Sequence, residues 1–298
     1  MVRQYKIHTN LDGTDDKVWD VTNGKVRFYQ PSNLGLQSTN NIWQSNGIGV
    51  MGTRSITQPQ IEFKLETFGE SLEENYRLMK DFINDILNQK FVTLEYQTEI
   101  FQVYADLALA DVTKTEGYGK NGAFSEKITF DIITKWYTYE NLTFDMIRNG
   151  KVLSGKSKIY GGTAQGNYKY VKGTSYTYYG ESDIDRLSRW DIKDEIFSFM
   201  GMLYPQLPKT PTGVRFLDDI GNEYTAIVFK TEELQDYILI NTDVNDETYQ
   251  GWKGTTAINL FPVMDFERYR TRIIEKGQME LINLTKAEFK IKRKADFV

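Results

Sequence analysis

The chain has 298 residues with 36 basic and 41 acidic side chains, a formal net charge of −5, no cysteine and one histidine. This length predicts about two domains. Because there is no cysteine, disulfides, cysteine nucleophiles and thiolate metal sites are excluded. Because there is a single histidine, a multi-histidine zinc site is excluded as well. The excess of acidic residues disfavours broad binding to the phosphate backbone of nucleic acids. No leader and no run of about 18 apolar residues is seen, which predicts a chain without a membrane segment. Such a chain is expected in the cytosol unless it is exported within a larger particle.

The N-terminal half is predicted to be a β-sandwich with one flanking helix. Its first strand covers 3–8, and His8 is interpreted as an ordinary strand residue because no motif places a serine or carboxylate beside it. Apolar and polar residues alternate in several segments, which is the pattern of half-buried strands. The further strands predicted in this half cover 18–21, 25–29, 61–65, 91–96, 100–105 and 128–132.

Residues 33–54 are rich in Asn, Ser and Gly around Trp43 and are predicted to form a long loop. Such a loop in a compact domain is usually functional or contacts a neighbour, and a disordered surface excursion is the alternative. Ser71 and Glu74 form a capping box ahead of apolar residues at helical spacing, which predicts a helix over 72–88. The apolar stripe of this helix is expected to pack on a sheet.

A boundary near residue 136 is predicted to divide the chain into domains of 1–136 and 137–298. The second domain is also predicted to be a β-sandwich, because short strands recur along the whole chain, spaced by turns at 12–13 (Asp-Gly), 23–24 (Asn-Gly) and 221–222 (Gly-Asn). Its predicted strands cover 142–147, 214–217, 224–229, 237–241, 257–261, 279–282 and 289–292. Lysines at 290 and 292 alternate with Phe289 and Ile291, and the basic residues Arg293 and Lys294 follow. This pattern is typical of an exposed sheet edge.

Residues 151–180 contain six tyrosines, six glycines, five lysines and no acidic residue. Glycine permits tight turns, so the segment is predicted to be part of an arm inserted at about 145–190. Tyrosine supplies contact area at small entropic cost, which favours docking of a protein; stacking on nucleic acid or sugar and a solvated segment are the alternatives. The lysines are expected to complement an acidic patch. The predicted contact residues are Tyr160, Tyr168, Lys169, Tyr170, Lys172, Tyr176, Tyr178 and Tyr179.

No enzyme, cofactor or metal site is predicted. The acidic pairs at 15–16, 218–219 and 232–233 are interpreted as turn residues, because glycosidase carboxylates must face each other from different elements. The loop 243–247 has oxygen ligands suited to calcium but lacks the glycine and the spaced glutamate of an EF-hand, so it is interpreted as a solvated turn. Trp252 in a predicted glycine-flanked loop favours a carbohydrate-binding module for host cell-wall recognition as the alternative function.

The order of these features resembles the distal tail proteins, the baseplate hubs of lactococcal siphophages. The resemblance runs along the whole chain and rests on the helical segment at 69–76, the strand at 122–130 and the inserted window at 160–179. It implies a tail-tube-like first domain that closes a homohexameric ring, through which DNA passes without specific binding. Trp43 is expected at the ring interface.

The resemblance also implies a galectin-like second domain whose inserted arm and hand grip trimers of the receptor-binding protein. The ring is further expected to contact the major tail protein on one side and the tail-associated hub protein on the other. A protein of this family is a structural part of the virion that takes part in host attachment. Its expected location is the phage tail tip, assembled in the host cytoplasm.

Overall fold

The structure is a computed structural model that describes residues 3–35, 37–57, 60–114, 119, 122–148, 151–153, 186–244 and 246–295. This part of the chain contains twenty β-strands and one α-helix. The prediction of a mainly β protein with a single helix is therefore confirmed. The chain divides into two compact units, one formed by Met1–Thr138 with Ala295–Val298 and the other by Tyr139–Lys294. Across the described ranges, no helix has the length and apolar character needed to cross a bilayer.

The first unit is built around one curled antiparallel sheet in the order β2-β1-β7-β8-β9-β6-β3. Its two ends meet, since the amide of Phe28 donates to the carbonyl oxygen of Val21 at 2.7 Å. Inside the curl the ring of Phe28 lies 4.6 Å from that of Phe63. The strands are β1 (Gln4–His8), β2 (Val18–Asp20), β3 (Val26–Ser32), β4 (Gln37–Ser45), β5 (Ile48–Thr57), β6 (Gln60–Thr67), β7 (Val92–Gln97), β8 (Gln102–Thr113), β9 (Ser125–Ile132) and the first residues of β10 (Tyr137–Arg148).

Helix α1 (Leu72–Leu87) flanks this sheet. Ser71 caps it, because the side-chain oxygen of Ser71 accepts from the Glu74 amide at 3.2 Å. The aromatic ring of Phe82 faces inward and packs edge-on against the rings of Trp19 and Phe28, with centroids 5.2 Å and 5.9 Å apart. The predicted cap and the predicted packing of the apolar stripe on the sheet are both confirmed.

The second unit is a sandwich of two sheets. The larger has the order β18-β17-β16-β13-β20-β10 with β11 paired to β10, and the smaller has the order β12-β19-β14-β15. Phe199 and Phe289 from the larger sheet and Phe216 from the smaller contribute to one shared core. The strands are the rest of β10, β11 (Lys151–Leu153), β12 (Arg186–Ile192), β13 (Ile196–Pro205), β14 (Thr212–Leu217), β15 (Glu223–Phe229), β16 (Tyr237–Asn241), β17 (Thr248–Lys253), β18 (Thr256–Asn259), β19 (Gly277–Ile282) and β20 (Leu284–Lys294), with a 3-10 turn at Phe261–Val263.

Two sequence-based interpretations of this unit are wrong. Trp252 lies within β17 rather than in a loop, and its ring stacks on that of Tyr237 with centroids 5.8 Å apart. The last strand, β20, lies in the sheet interior between β13 and β10, so its lysines do not protect an edge. Instead Lys292 is buried and its ammonium group pairs with Asp243 at 2.8 Å. A long aliphatic stem lets lysine lie in a sheet interior when its charge has a partner.

The face of the smaller sheet that points away from the core carries a buried ion pair. The carboxylate of Glu280 on β19 has 0% exposure, and Arg215 on β14 donates to it from Nε at 2.7 Å and Nη2 at 2.6 Å. The guanidinium of Arg215 also lies 3.8 Å from Glu223, which Arg268 holds through two further hydrogen bonds of 2.8 Å and 2.6 Å. Strands β14, β15 and β19 are thus joined by charge as well as by backbone hydrogen bonds.

Arg215→Ala is expected to lower the free energy of unfolding by about 3–5 kcal/mol, because the buried carboxylate of Glu280 loses its ion pair with Arg215. Urea unfolding followed by circular dichroism measures this loss. Lys253→Ala is the matched control, since the Lys253–Glu233 pair is largely exposed, at 55% and 68% of the side chains. Such surface pairs add little stability, so the control should unfold like the parent. An equally small effect of Arg215→Ala would contradict the prediction.

Candidate self-association surface

The segment predicted as a long loop around Trp43 is instead a β-hairpin. Strands β4 and β5 are antiparallel, with Trp43 opposite Val50. The two residues at its tip, Asn46 and Gly47, have φ angles of 51° and 81°. Two consecutive positive φ values are the mark of a type I′ turn, whose twist matches that of the paired strands. The prediction of an irregular loop is therefore wrong, because this turn keeps the two strands in register.

The hairpin exposes apolar side chains on both faces. Residues opposite each other share a face, so Trp43 and Val50 lie on one face and Ile42 and Met51 on the other. Their exposed fractions are 65%, 57%, 51% and 50%, and that of Ile48 near the tip is 71%. Sequence reasoning singled out Trp43 but missed these four neighbours. Exposed apolar groups clustered in this way mark a surface that another protein covers.

Charge is nearly absent from the hairpin. Within residues 37–54 the single charged residue is Arg54, whose Nε donates to the side-chain oxygen of Asn40 at 2.9 Å. In the part of the chain that the structure describes, β4 and β5 pair with each other and with no further strand. A two-stranded hairpin alone is marginally stable in water, and an uncharged strand edge is suited to pairing with another chain. The hairpin is therefore the strongest candidate for self-association.

The predicted arm contacts lie outside the described residues: Tyr160, Tyr168, Lys169, Tyr170, Lys172, Tyr176, Tyr178 and Tyr179. The structure does show the two strands that frame residues 154–185, a segment called the insertion below. On one side β11 pairs with β10, and on the other β12 pairs with β19. The insertion thus leaves from the larger sheet of the second unit and returns to the smaller one.

His8 ends strand β1, as predicted, but two carboxylates flank it. Its Nδ1 lies 2.6 Å from Asp16 Oδ2 and its Nε2 lies 2.9 Å from Glu95 Oε2. Each ring nitrogen thus lies within hydrogen-bond distance of a carboxylate oxygen. Burial raises the pKa of Glu95, but hydrogen bonds from Lys6 and His8 outweigh burial and leave that pKa below its usual value. Both ring nitrogens are occupied, which leaves neither to activate a nucleophile.

The acidic loop 243–247 is bonded within the chain. Asp243 pairs with Lys292 at 2.8 Å, and Glu247 pairs with Arg272 at 2.6 Å. Among the residues that the structure describes, no group of three or more histidine, cysteine, aspartate or glutamate side chains is arranged to hold a metal ion. The carboxylates of Asp243 and Glu247 therefore bind basic side chains of the second unit.

Buried tyrosines connect the same loop to the core. The hydroxyl of Tyr249 donates to Glu247 at 2.8 Å and lies 3.3 Å from the hydroxyl of Tyr269. Burial, together with the hydrogen bonds to Tyr269 and Glu247, raises the pKa of Tyr249. Burial also raises the pKa of Tyr224 to about 12. Ionisation of either phenol would place an unfavourable charge inside the folded unit.

The free energy of unfolding is expected to fall as the pH rises from about 10 to about 12. A group whose folded pKa exceeds its unfolded value of 10.0 stabilises the fold fully below that value and loses the contribution as the pH approaches the folded pKa. Urea unfolding at each pH measures the decline. A Tyr224→Phe and Tyr249→Phe double variant should show a shallower decline, while Tyr76→Phe on the exposed surface of α1 should keep the parent profile. A double variant with the parent slope would contradict the assignment.

Sequence comparison shows similarity to phage distal tail proteins over the whole chain. The family profile "Distal tail protein, N-terminal domain" matches residues 4–133, and "Dit, C-terminal domain" matches residues 135–298. The chain is 93% identical over 298 residues to the distal tail protein of Lactococcus phage p2 and 89% identical to that of Lactococcus phage SK1. Each alignment covers 100% of this chain and 100% of the relative.

Two solved structures have a similar fold. One chain in the structure of the phage p2 baseplate in its activated conformation with Ca matches with a TM-score of 0.78 and 93% identity, and the match covers 100% of both chains. The crystal structure of the Dit protein of phage SPP1, described as a paradigm of hub adsorption apparatus in phages that infect Gram-positive hosts, matches with a TM-score of 0.54. That match covers 99% of this chain and 100% of the other at 11% identity, so it shows the fold alone.

Proposed function

The chain belongs to the distal tail protein family, and we propose that it forms a homohexameric ring that joins the tail tube to the tip and anchors receptor-binding protein trimers. It is a structural component of the baseplate at the tail tip of the virion. The first unit closes the ring. The galectin-like second unit carries the arm that reaches the receptor-binding protein.

The apolar hairpin of the first unit is the observation that carries this proposal. A closed ring needs complementary surfaces on opposite sides of each subunit. The hairpin offers an unpaired edge on β4, another on β5, and apolar groups on both faces, with Trp43 and Val50 on one of them. Pairing with a neighbouring subunit would account for both features, because it would satisfy the backbone hydrogen-bonding groups of the two strand edges and remove the apolar side chains from water.

The other contacts follow from the position of a hub. The ring contacts the major tail protein on one side and the tail-associated hub protein on the other, and DNA crosses its lumen without specific binding. The net charge of −5 supports this passage, because a chain with an acidic balance has little attraction for phosphates. On the outside, the tyrosines and lysines of the arm hold the receptor-binding protein.

Native mass spectrometry of the purified full-length chain tests the ring directly. We expect a sixfold multiple of the chain mass of 34.6 kDa. The sixfold assembly should not dissociate when the protein is diluted across the concentration range of the assay, because a hub has to remain assembled in dilute solution. A stable monomer would refute the ring, and another closed multiple would refute the sixfold symmetry while keeping the ring.

A further inference from the structure

We propose that Asn46 is a site of spontaneous deamidation and that its isoaspartate product prevents the hairpin from joining the ring. The second half of this inference rests on the proposed function; the first half does not. Asn46 is followed by Gly47, and glycine has no side chain to obstruct attack by its own backbone nitrogen on the side chain before it. An Asn-Gly pair at an exposed hairpin tip is therefore a reactive position.

The surroundings of the tip leave this reaction unobstructed. Asn46 is exposed, and a Cβ atom placed on Gly47 would have nothing within 4 Å. The turn closes a hairpin that belongs to no larger sheet among the described residues. Local opening of such an element costs little free energy compared with opening a strand inside a sheet. The side chain of Asn46 therefore reaches the geometry needed for attack at low cost.

Asn-Gly also occurs at 23–24, 121–122 and 149–150, and the pair at 23–24, which the structure describes in full, provides an internal comparison. Gly24 is tied down, because its amide donates to the carbonyl oxygen of Asp20 at 3.0 Å. A Cβ placed on Gly24 would lie 2.3 Å from that oxygen, so the turn is also crowded. The amide of Asn23 donates to the side chain of Asp20 at 2.9 Å. The same dipeptide is thus held in place at 23–24 and open at 46–47.

The reaction needs water and no other reagent. The backbone nitrogen of Gly47 gives up its proton to water and forms a bond to Cγ of Asn46, and the bond from Cγ to the side-chain nitrogen breaks. That nitrogen takes up one proton from water and leaves as ammonia. Water then opens the resulting succinimide at one of its two carbonyl groups. One opening gives aspartate and the other gives isoaspartate.

The two products differ in their effect on the hairpin. Aspartate is accepted in a type I′ turn and adds one negative charge. Isoaspartate routes the backbone through the side chain and lengthens it by one methylene group. The turn then no longer holds Ser45 opposite Ile48, and the register that places Trp43 opposite Val50 is lost. A chain that carries isoaspartate at this position therefore presents a disordered set of apolar side chains to its neighbour.

Peptide mapping of the aged full-length protein tests the chemistry. After incubation in mildly alkaline buffer, tryptic peptides 18–25 and 28–54 report Asn23 and Asn46 separately, and fragmentation assigns the modified residue. Asn46 should convert about tenfold faster or more, since a difference of about 1.4 kcal/mol in local opening corresponds to that factor. Conversion of Asn23 at an equal or higher rate would overturn the proposal.

The effect on assembly is tested on the same aged sample. The aged protein is first dissociated in urea and reassembled, so that protection inside existing rings does not matter; isoaspartate at position 46 should then be concentrated in the monomer fraction and depleted from the ring fraction. Asn46→Gly keeps a turn that tolerates positive φ and cannot deamidate, so this variant should form rings that lose no competence on ageing. Equal isoaspartate content in both fractions would overturn the assembly effect. Absence of rings in fresh protein would instead refute the proposed function, while the rate comparison would still hold.

Discussion

A chain carrying Trp43→Asp and Val50→Asp is expected to purify as a folded monomer. The two side chains share one face of the hairpin and are 65% and 57% exposed in the single chain, so the fold of the first unit does not depend on them. In the proposed ring that face would be buried, and two carboxylates without partners would have to leave water there. Native mass spectrometry reports the loss of the ring, and circular dichroism reports the retained fold.

Controls separate this surface from exposed apolar groups in general. Ile100, in the turn between β7 and β8, is 77% exposed in the same unit, so Ile100→Asp should leave the ring intact. The opposite face of the hairpin is tested separately by Ile42→Asp with Met51→Asp. A ring of unchanged mass in the Trp43 and Val50 double variant would exclude this face from the interface.

Replacing residues 156–180 with a short glycine-serine linker is expected to abolish retention of the receptor-binding protein while leaving the ring intact. The removed segment holds all six tyrosines of the predicted arm. The cut points lie beyond β11 on one side and before β12 on the other, so the framing strands keep their partners. A pull-down with the tagged chain measures retention, and native mass spectrometry of the same preparation checks the ring.

Narrower variants distinguish the two kinds of contact in the arm. Changing the six arm tyrosines to serine should cost most of the affinity, because aromatic anchors dominate protein interfaces. Lys169→Glu with Lys172→Glu should chiefly slow association and change its salt dependence, if the partner surface is acidic. Tyr76→Ser on α1, where the side chain is 61% exposed, is the matched control. Undiminished retention after loss of the tyrosines would contradict the arm assignment.

Local patterns in the sequence were sufficient to predict much of the fold. Ser71 and Glu74 located the start of α1, and the alternation around Ile61 and Phe63 located β6. Strand β13, by contrast, was missed, although Phe199 and Leu203 lie in the core. Its half-buried positions are held by Phe197, Met200, Met202 and Tyr204, so both faces carry apolar or aromatic residues and the alternation that marks a half-buried strand disappears.

The hairpin of β4 and β5 was missed because its strands are mostly polar. Its strands are rich in Asn, Ser and Gln, and their apolar residues face both sides, so no single face stands out. The informative signal was the Asn46-Gly47 pair between two short runs with strand character, which predicts a type I′ turn. Exposure of Trp43 is a property of the folded unit. Pairing of Arg215 with Glu280, 65 residues apart, is likewise set by the topology of the sheet and not by local spacing.

The attachment of the insertion to both layers of the sandwich has a mechanical consequence. A pull on the insertion is divided between β11 in one layer and β12 in the other, and each strand passes its share to a paired neighbour. Within the described ranges each of these strands has a single paired neighbour, so tension on the insertion loads one edge of the larger sheet and one edge of the smaller sheet. Force applied to the insertion would thus be shared by both layers of the sandwich, whereas a segment held at one strand would load one layer alone.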